Sequence, residues 1–257
     1  MAGRDLISFN IEESDLEQTL YYTRDTVKFA FMPLVDHILG ARPLSENRPI
    51  RIGLAGPPGS GKSSIASTLR LLLEEKCAST LVLPLDGFHK TNSTLMSSTV
   101  ERGGRLFTLY ELKGSSASYD TDAFMKTVSG MRNGKNFSWP VYSRTLHEPV
   151  QDAIKPSGEE AVYIVEGNYL LLDKSPWNGL HDFFDVRIFI MSNARTLKRG
   201  LIRRKMRGGY DAKETKIHYR RCDRENIREV LRFSKIYDFS LYRKRPFRYD
   251  LAGPLHS

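Results

Sequence analysis

Cysteine is scarce in this chain. The two residues, Cys77 and Cys222, form no metal-spaced pair and sit in no redox motif. That argues against thiol chemistry or a cysteine metal centre, and the expected compartment is the reducing cytoplasm. Long apolar runs are also missing. None approaches the roughly 18 residues that a membrane span needs, so no membrane partner is expected. The opening MAGRDLISFNIEESD has neither the basic region nor the apolar core of a signal peptide. No internal repeat and no low-complexity segment interrupts the chain. What remains, 257 residues with 40% hydrophobic and 27% charged, suits one α/β core with a small appendage.

Acidic residues are thin in one place. Between Arg195 and Lys235 there are 15 Lys/Arg against 5 Asp/Glu, a net of +10; the rest carries 24 against 25, a net of −1. Charge gathered in this way concentrates an anionic partner. Nucleic acid, an acidic membrane and a nucleoside triphosphate all qualify, and composition does not choose among them.

Apolar positions such as Leu16, Leu20, Val27 and Phe31 lie at helical spacing in DLEQTLYYTRDTVKFAFMPLVDHIL. They predict that residues 1–49 are a helical lead-in packing on the core, kinked or restarted at Pro33. IRIGLAG is a buried strand running into a glycine-rich turn, and KSSIASTLRLLLEEKCA is a helix. TLVLPLD is a second strand, and residues 87–118 are loop-like. Asp120 caps a helix over TDAFMKTVSGMRN. FSWPVYSR is short and extended, while AVYIVEGNYLLL and FFDVRIFIM are buried strands. Ser192 caps the helix NARTLKRGLIRRKM, RGGYDAKE breaks it, and helix resumes to residue 233. Residues 236–257 are a short strand and tail. Apolar-run strands alternating with helices predict a parallel sheet covered on both faces.

GPPGSGKS, residues 56–63, fits G-x-x-x-x-G-K-[ST] between a strand and a helix, the setting that the pattern requires. Gly56, Pro57, Pro58, Gly59, Ser60 and Gly61 form a cradle whose backbone N–H groups point at phosphate oxygens. Lys62 reaches the β- and γ-phosphates, Ser63 offers a hydroxyl to Mg²⁺, and Ser64 continues the helix start, where the dipole favours anions. Kinases, switches and motors all use such a loop. In an open parallel sheet, ligands sit beyond the carboxyl ends of the strands. Asp86 in LPLDGFHK and Glu166 in YIVEGNY close two of them. One carboxylate there can accept a hydroxyl proton and the other can hold Mg²⁺. Gly87 and Gly167, each following a carboxylate, are expected to leave room for a close ligand.

Five further segments sit in one order: DGFH at 86–89, KGSSASYDTDAF at 113–124, PVYSRTLHEP at 140–149, VEGNYLL at 165–171 and CDRENIREV at 222–230. With the glycine loop they resemble the phosphoribulokinase, uridine kinase and bacterial pantothenate kinase superfamily over roughly residues 50–235. The likeness is strongest to the sugar-kinase-like members named fructose transport system kinases. Ser116 departs from a proline common there. The resemblance implies a P-loop NTPase fold: a three-layer α/β/α sandwich, a mainly parallel five-stranded sheet and a small helical lid. The kinase domain would span 50–257, with the lid around 199–216. It implies ATP and Mg²⁺ as cofactors and a small-molecule hydroxyl acceptor, a sugar, a nucleoside or a pantothenate-like alcohol. Asp86 would be the general base and Glu166 would lie near the metal. Tyr142, Arg144, Asn168 and Asn226 would line the acceptor pocket, with His89 and Arg102 as further candidates. Arg199, Arg203 and Arg207 step by four along one helix face. In a lid, Arg203 and Arg207 would offset transition-state charge. Members of this family often form dimers, so a homodimer is a further expectation. The rival reading is a regulatory or nucleic-acid-associated NTPase using the basic 195–235 stretch. No RNA-recognition motif, zinc knuckle or stacking-aromatic array supports it, so nucleic acid is the weaker partner.

Overall fold

Leu6–Glu13 (β1) alternates sides: Phe9 and Ile11 are buried while Ser8 and Asn10 are exposed. It pairs antiparallel with Leu16–Thr23 (β2), with Phe9 opposite Leu20 and Ile7 opposite Tyr22. This computed structural model describes residues 5–13, 16–41, 48–132 and 136–254. The expected helix over this stretch is thus half hairpin. Leu16 and Leu20, four apart, fit a period of two as well as 3.6. The β-branched and aromatic residues of LEQTLYYT favour the strand once a partner lies alongside.

Helix begins at Arg24–Thr26 (α1), where the Thr23 hydroxyl accepts from the Thr26 N–H at 3.2 Å. A π turn, Val27–Phe31, follows and leads into Met32–Gly40 (α2), with Pro33 in its first turn. The widened turn lies where proline lacks an N–H to give, so the helical run continues without a break.

The central sheet uses Ile50–Ala55 (β3), and Lys62–Glu74 (α3) follows the glycine loop. Thr80–Pro84 (β4) comes next. Residues 87–118, expected as loop, contain Asn92–Ser97 (α4) and a hairpin of Thr99–Arg102 (β5) and Arg105–Thr108 (β6). Gly103 and Gly104, at φ of +58° and +75°, make the two-residue turn that a tight hairpin requires. Thr121–Arg132 (α5) starts where Asp120 Oδ1 accepts from the Ala123 N–H. Trp139–Ser143 (β7) and Glu148–Ile154 (β8) form a second hairpin.

Val162–Gly167 (β9) and Val186–Ser192 (β10) complete the centre of the sheet. Ala194–Arg207 (α6) follows. Its cap is Asn193, accepting from the Thr196 N–H at 2.9 Å, and not Ser192. Ser192 is still strand and its hydroxyl points inward. Ala212–His218 (α7), a π turn and Arg224–Phe233 (α8) lead to Phe239–Arg245 (β11) and Arg248–Ala252 (β12).

The sheet order is β12-β11-β10-β3-β9-β4. Five strands are parallel, as expected. The tail adds a sixth, antiparallel at the edge, because RYDLA alternates and folds back on β11. Every residue of β3 and β9 is buried. On one face Ile52 and Leu54 pack with Ile65, Leu69 and Leu73 of α3 and with Phe31, Leu34 and Ile38. On the other, an aromatic layer of Phe88, Tyr119, Phe124, Trp139, Tyr169 and Trp177 covers the sheet. Among the described residues no helix is long and apolar enough to cross a membrane.

Candidate active site

The glycine loop runs from the end of β3 to the start of α3. Gly59 and Gly61 have φ of +79° and +95°, which side chains rarely adopt. Gly59 also lies under α6: a Cβ there would meet Leu201 Cγ at 2.8 Å and the Leu197 carbonyl at 2.9 Å. Leu197 and Leu201 thus mark the inner face of α6, and they seat the helix on the loop.

Lys62 is buried, and its Nζ donates to Asn168 Oδ1 at 2.6 Å and to the Pro57 carbonyl at 3.3 Å. Burial pushes its pKa down to about 8; Glu166 and Asp86 oppose that and Arg204 adds to it. Asn168, expected beside the acceptor, therefore stands on the phosphate side. Ser63 Oγ donates to Glu166 Oε1 at 3.0 Å, so the hydroxyl and the carboxylate proposed for a metal are already together.

Asp86 lies in a 3₁₀ turn, Leu85–Phe88, just past β4. Side chains crowd around it, yet 56% of its own side chain is accessible. Its Oδ1 accepts from the Tyr119 hydroxyl at 2.9 Å. Burial pushes its pKa up, but His89, the Tyr119 hydroxyl, Arg204 and Lys62 outweigh it and hold the carboxyl below the usual range. Asp86 is therefore ionised at neutral pH, with lone pairs open to the cleft. His89 stacks on Tyr119, with ring centroids 4.0 Å apart, and its Nε2 lies 4.0 Å from Asp86 Oδ1. Burial lowers the imidazole pKa and Asp86 opposes the shift.

The glycines after the two carboxylates do not make room for a ligand. A Cβ on Gly87 would sit 1.9 Å from the Pro140 carbonyl oxygen, and one on Gly167 would sit 2.5 Å from Leu85 Cβ. Both positions are filled by the protein itself, and the close packing aims the two carboxylates.

The acceptor candidates separate. Tyr142 is half-buried, edge-on to His89 and 5.0 Å under Lys113 Nζ. Burial pushes its phenol up to about 12, with Tyr210, Glu148 and Asp86 adding to the shift. Asn226 is 1% exposed; its Nδ2 donates to the Gly114 carbonyl at 3.0 Å. Arg102, at the end of β5, has a buried Nη1. Arg144 stands exposed in the turn after β7.

Arg203 lies with Arg199, Ile202 and Met206 around a concavity of about 410 Å³ on the outer side of α6, turned from the loop. The charge of Arg204, on the inner face of α6, reaches both Asp86 and Lys62. Its position was readable: it is three residues past Leu201 and seven past Leu197, on their face of the helix. Arg207 ends α6, and its side chain lies outside the described residues. Tyr119 is the other residue that sequence reasoning left unassigned, although it lies inside the SYD segment.

Glycine loop, buried lysine and strand-end carboxylates on a parallel sheet define a P-loop nucleotide-binding site, and the family to which the chain belongs makes it a small-molecule kinase with ATP as a substrate. The chain belongs to the phosphoribulokinase / uridine kinase family, whose model matches residues 51–230. It is 31% identical over 216 residues to "Uncharacterized protein YggC" of Escherichia coli, covering 83% of this chain and 86% of the relative. It is 30% identical over 168 residues to "Putative uridine kinase C227.14" of Schizosaccharomyces pombe, covering 62% and 69%. The crystal structure of a "putative fructose transport system kinase" from Silicibacter sp. TM1040 superposes with a TM-score of 0.74 at 25% identity, covering 82% of this chain and 98% of that one.

Proposed function

We propose that the protein transfers the γ-phosphoryl group of ATP to a hydroxyl of a sugar, a nucleoside or a pantothenate-like alcohol, with Asp86 as general base. The observation that carries this is the solvent-open, ionised Asp86, held by Tyr119, at the same sheet edge as Lys62 and the Ser63–Glu166 pair. The acceptor hydroxyl approaches Asp86 from the cleft. Its proton moves to the free Asp86 oxygen as the oxygen attacks phosphorus. Lys62 gives up its Asn168 contact for the phosphates, and Arg204 faces the charge that spreads over the transferring group. Arg203, on the outer face of α6, adds to the positive field at longer range, and Arg207 at the helix end adds further charge as a lid closes and water is excluded.

Ser63 and Glu166 suit Mg²⁺: a hydroxyl and a carboxylate 3.0 Å apart beside the phosphate loop are the oxygen donors that such an ion takes from protein, the rest coming from water and phosphate. When bound with ATP, the ion neutralises phosphate charge.

The test is phosphoryl transfer from ATP–Mg²⁺ to a panel of sugars, nucleosides and pantothenate-like alcohols, following ADP and phosphorylated product together. The expected result is ADP release that depends on one acceptor class and equals product formed. ADP release indifferent to every acceptor would instead favour an NTPase.

Lys62 adds a pH dependence. Its folded pKa of about 8 lies below its ordinary 10.5. The folded chain therefore releases this proton while the unfolded chain keeps it, so this group's contribution to stability rises with pH between those values. Bound triphosphate restores the charge. ATP binding should take up almost no proton at pH 7 and close to one at pH 9, and affinity should weaken by up to about tenfold per pH unit above 8. Calorimetry in two buffers of different ionisation enthalpy measures this. Equal heats in both buffers at pH 9 would contradict it.

A further inference from the structure

Lys198 on α6, Lys216 on α7, and Tyr219 and Arg220 of the π turn that follows line a pocket of about 210 Å³. It shares no residue with the larger concavity beside Arg199 and Arg203. Lys216 and Arg220 come from one side, and Lys198 reaches over from α6 with its Nζ 5.4 Å from the centre of the Tyr219 ring. Among the described residues no carboxylate lines the pocket, and none of the three cations forms an ion pair. Their neighbours do: Arg221 meets Glu111 at 3.2 Å and Arg224 meets Glu225 at 3.4 Å. Asp211, which feels the Lys216 charge, accepts from the N–H groups of Lys213 and Glu214, and Asp223 faces His218 at 3.6 Å.

Tyr219 forms the floor. It is 8% exposed, with its ring packed on Leu197, Leu201 and Ile227. Its hydroxyl nevertheless makes no hydrogen bond among the described residues. A hydroxyl set in apolar surroundings without a partner is costly, and the pocket is where a partner can enter. Three like charges brought together also repel, and a bound anion relieves that. The cations and the phenol can all donate, so the pocket suits an ion that only accepts. A phosphate group offers more acceptor oxygens around one centre than a carboxylate does. It can therefore meet donors arriving from two helices at once. The walls enclose a pocket, not a long groove, which fits a small anion better than a polymer.

We propose that this pocket binds a small phosphate-bearing anion, inorganic phosphate or a phosphate monoester, and that the anion ties α6 to α7. Lys198 follows Leu197, which with Leu201 seats α6 against Gly59 of the phosphate loop. An anion shared by Lys198, Lys216 and Arg220 steadies the helix that covers the loop and carries Arg204. The site uses none of the residues placed around ATP, Mg²⁺ or the acceptor, so it stands whether or not the kinase reading does.

The experiment first fills the phosphate loop of the full-length protein with Mg²⁺ and an excess of the non-hydrolysable β,γ-imido analogue of ATP, so that added anion reports on other sites. Inorganic phosphate and ribose 5-phosphate are then titrated by calorimetry at constant ionic strength, with acetate as the control anion. We expect one saturable site with a Kd of about 1–10 mM. It should weaken at least about tenfold in Lys198→Ala/Arg220→Ala, and about threefold in Tyr219→Phe, which keeps the ring. Hydrogen exchange across residues 194–220 should slow on adding phosphate to the wild type and not to the double variant. Circular dichroism and unchanged analogue binding check that the variants are folded. The tighter of the two probes identifies the source of the phosphate group. No saturable binding to the filled protein, acetate binding as well as phosphate, or binding that the double variant keeps overturns the inference. Binding without slowed exchange overturns the tie between the helices. An oligonucleotide that binds through the same cations far more tightly than either small anion makes the pocket part of a nucleic-acid surface, and overturns the inference as well.

Discussion

Asp86→Asn should lower kcat for phosphoryl transfer by about 10²–10⁴-fold, the usual worth of a placed general base. ATP affinity should stay within about tenfold: among the described residues the side chain has no hydrogen bond to the phosphate loop, and its charge reaches only Lys62 there. The change is nearly isosteric. The Tyr119 hydroxyl, now 2.9 Å from Asp86 Oδ1, can still donate to an amide oxygen, so the turn keeps its shape. What disappears is the lone pair that takes the acceptor proton. Product formation and ATP binding measured on one preparation separate the two effects. Unchanged turnover would remove Asp86 from the mechanism. Equal loss of binding and turnover would make it a structural residue of the cleft instead.

Lys62→Ala should do the reverse and strike both steps. A charge-assisted hydrogen bond is worth about 1.5–3 kcal/mol, so ATP affinity should fall roughly 10–100-fold. Loss of one preorganised donor at the transferring phosphate should cost a further 10²–10³-fold in kcat. The variant also leaves Asn168 Oδ1 without the donor that it now has at 2.6 Å. In the nucleotide-free protein, loss of a buried amine whose charge burial disfavours offsets that cost, so thermal stability should change little. Calorimetric ATP titration and steady-state kinetics check the prediction. Normal binding with normal turnover would contradict the assignment of the loop itself.

The parts of this protein that were legible are those whose chemistry is local. GPPGSGKS carries its own geometry in its glycines, and the apolar runs of β3, β9 and β10 announce buried strands because both faces are covered. Asp120 caps a helix within three residues of itself. The N-terminal hairpin was not legible, because a two-residue and a 3.6-residue period coincide at Leu16 and Leu20 and only the pairing of β1 with β2 separates them. The β5–β6 hairpin could have been read from Gly103–Gly104, a two-residue turn flanked by strand formers. Counting steps of four among the charges picks out one face of α6, that of Arg199 and Arg203. The apolar Leu197 and Leu201 show which face turns inward, and that face carries Arg204.

The sequence by itself determined that a phosphate would be bound, where along the chain, and that two carboxylates would stand at strand ends beside it. Each of those follows from a short stretch and its immediate secondary structure. Only the tertiary structure decided what surrounds them. Tyr119 reaches Asp86 across 33 positions, Asn168 reaches Lys62 across 106, and Asn226 reaches Gly114 across 112. The glycines after Asp86 and Glu166 show the same division. Their sequence context suggested space for a ligand, and the fold fills that space with Pro140 and Leu85. Such contacts depend on how strands order themselves in a sheet and on which side chains then compete for the same volume. No local pattern encodes that competition, because its outcome is set by packing between segments distant in the chain.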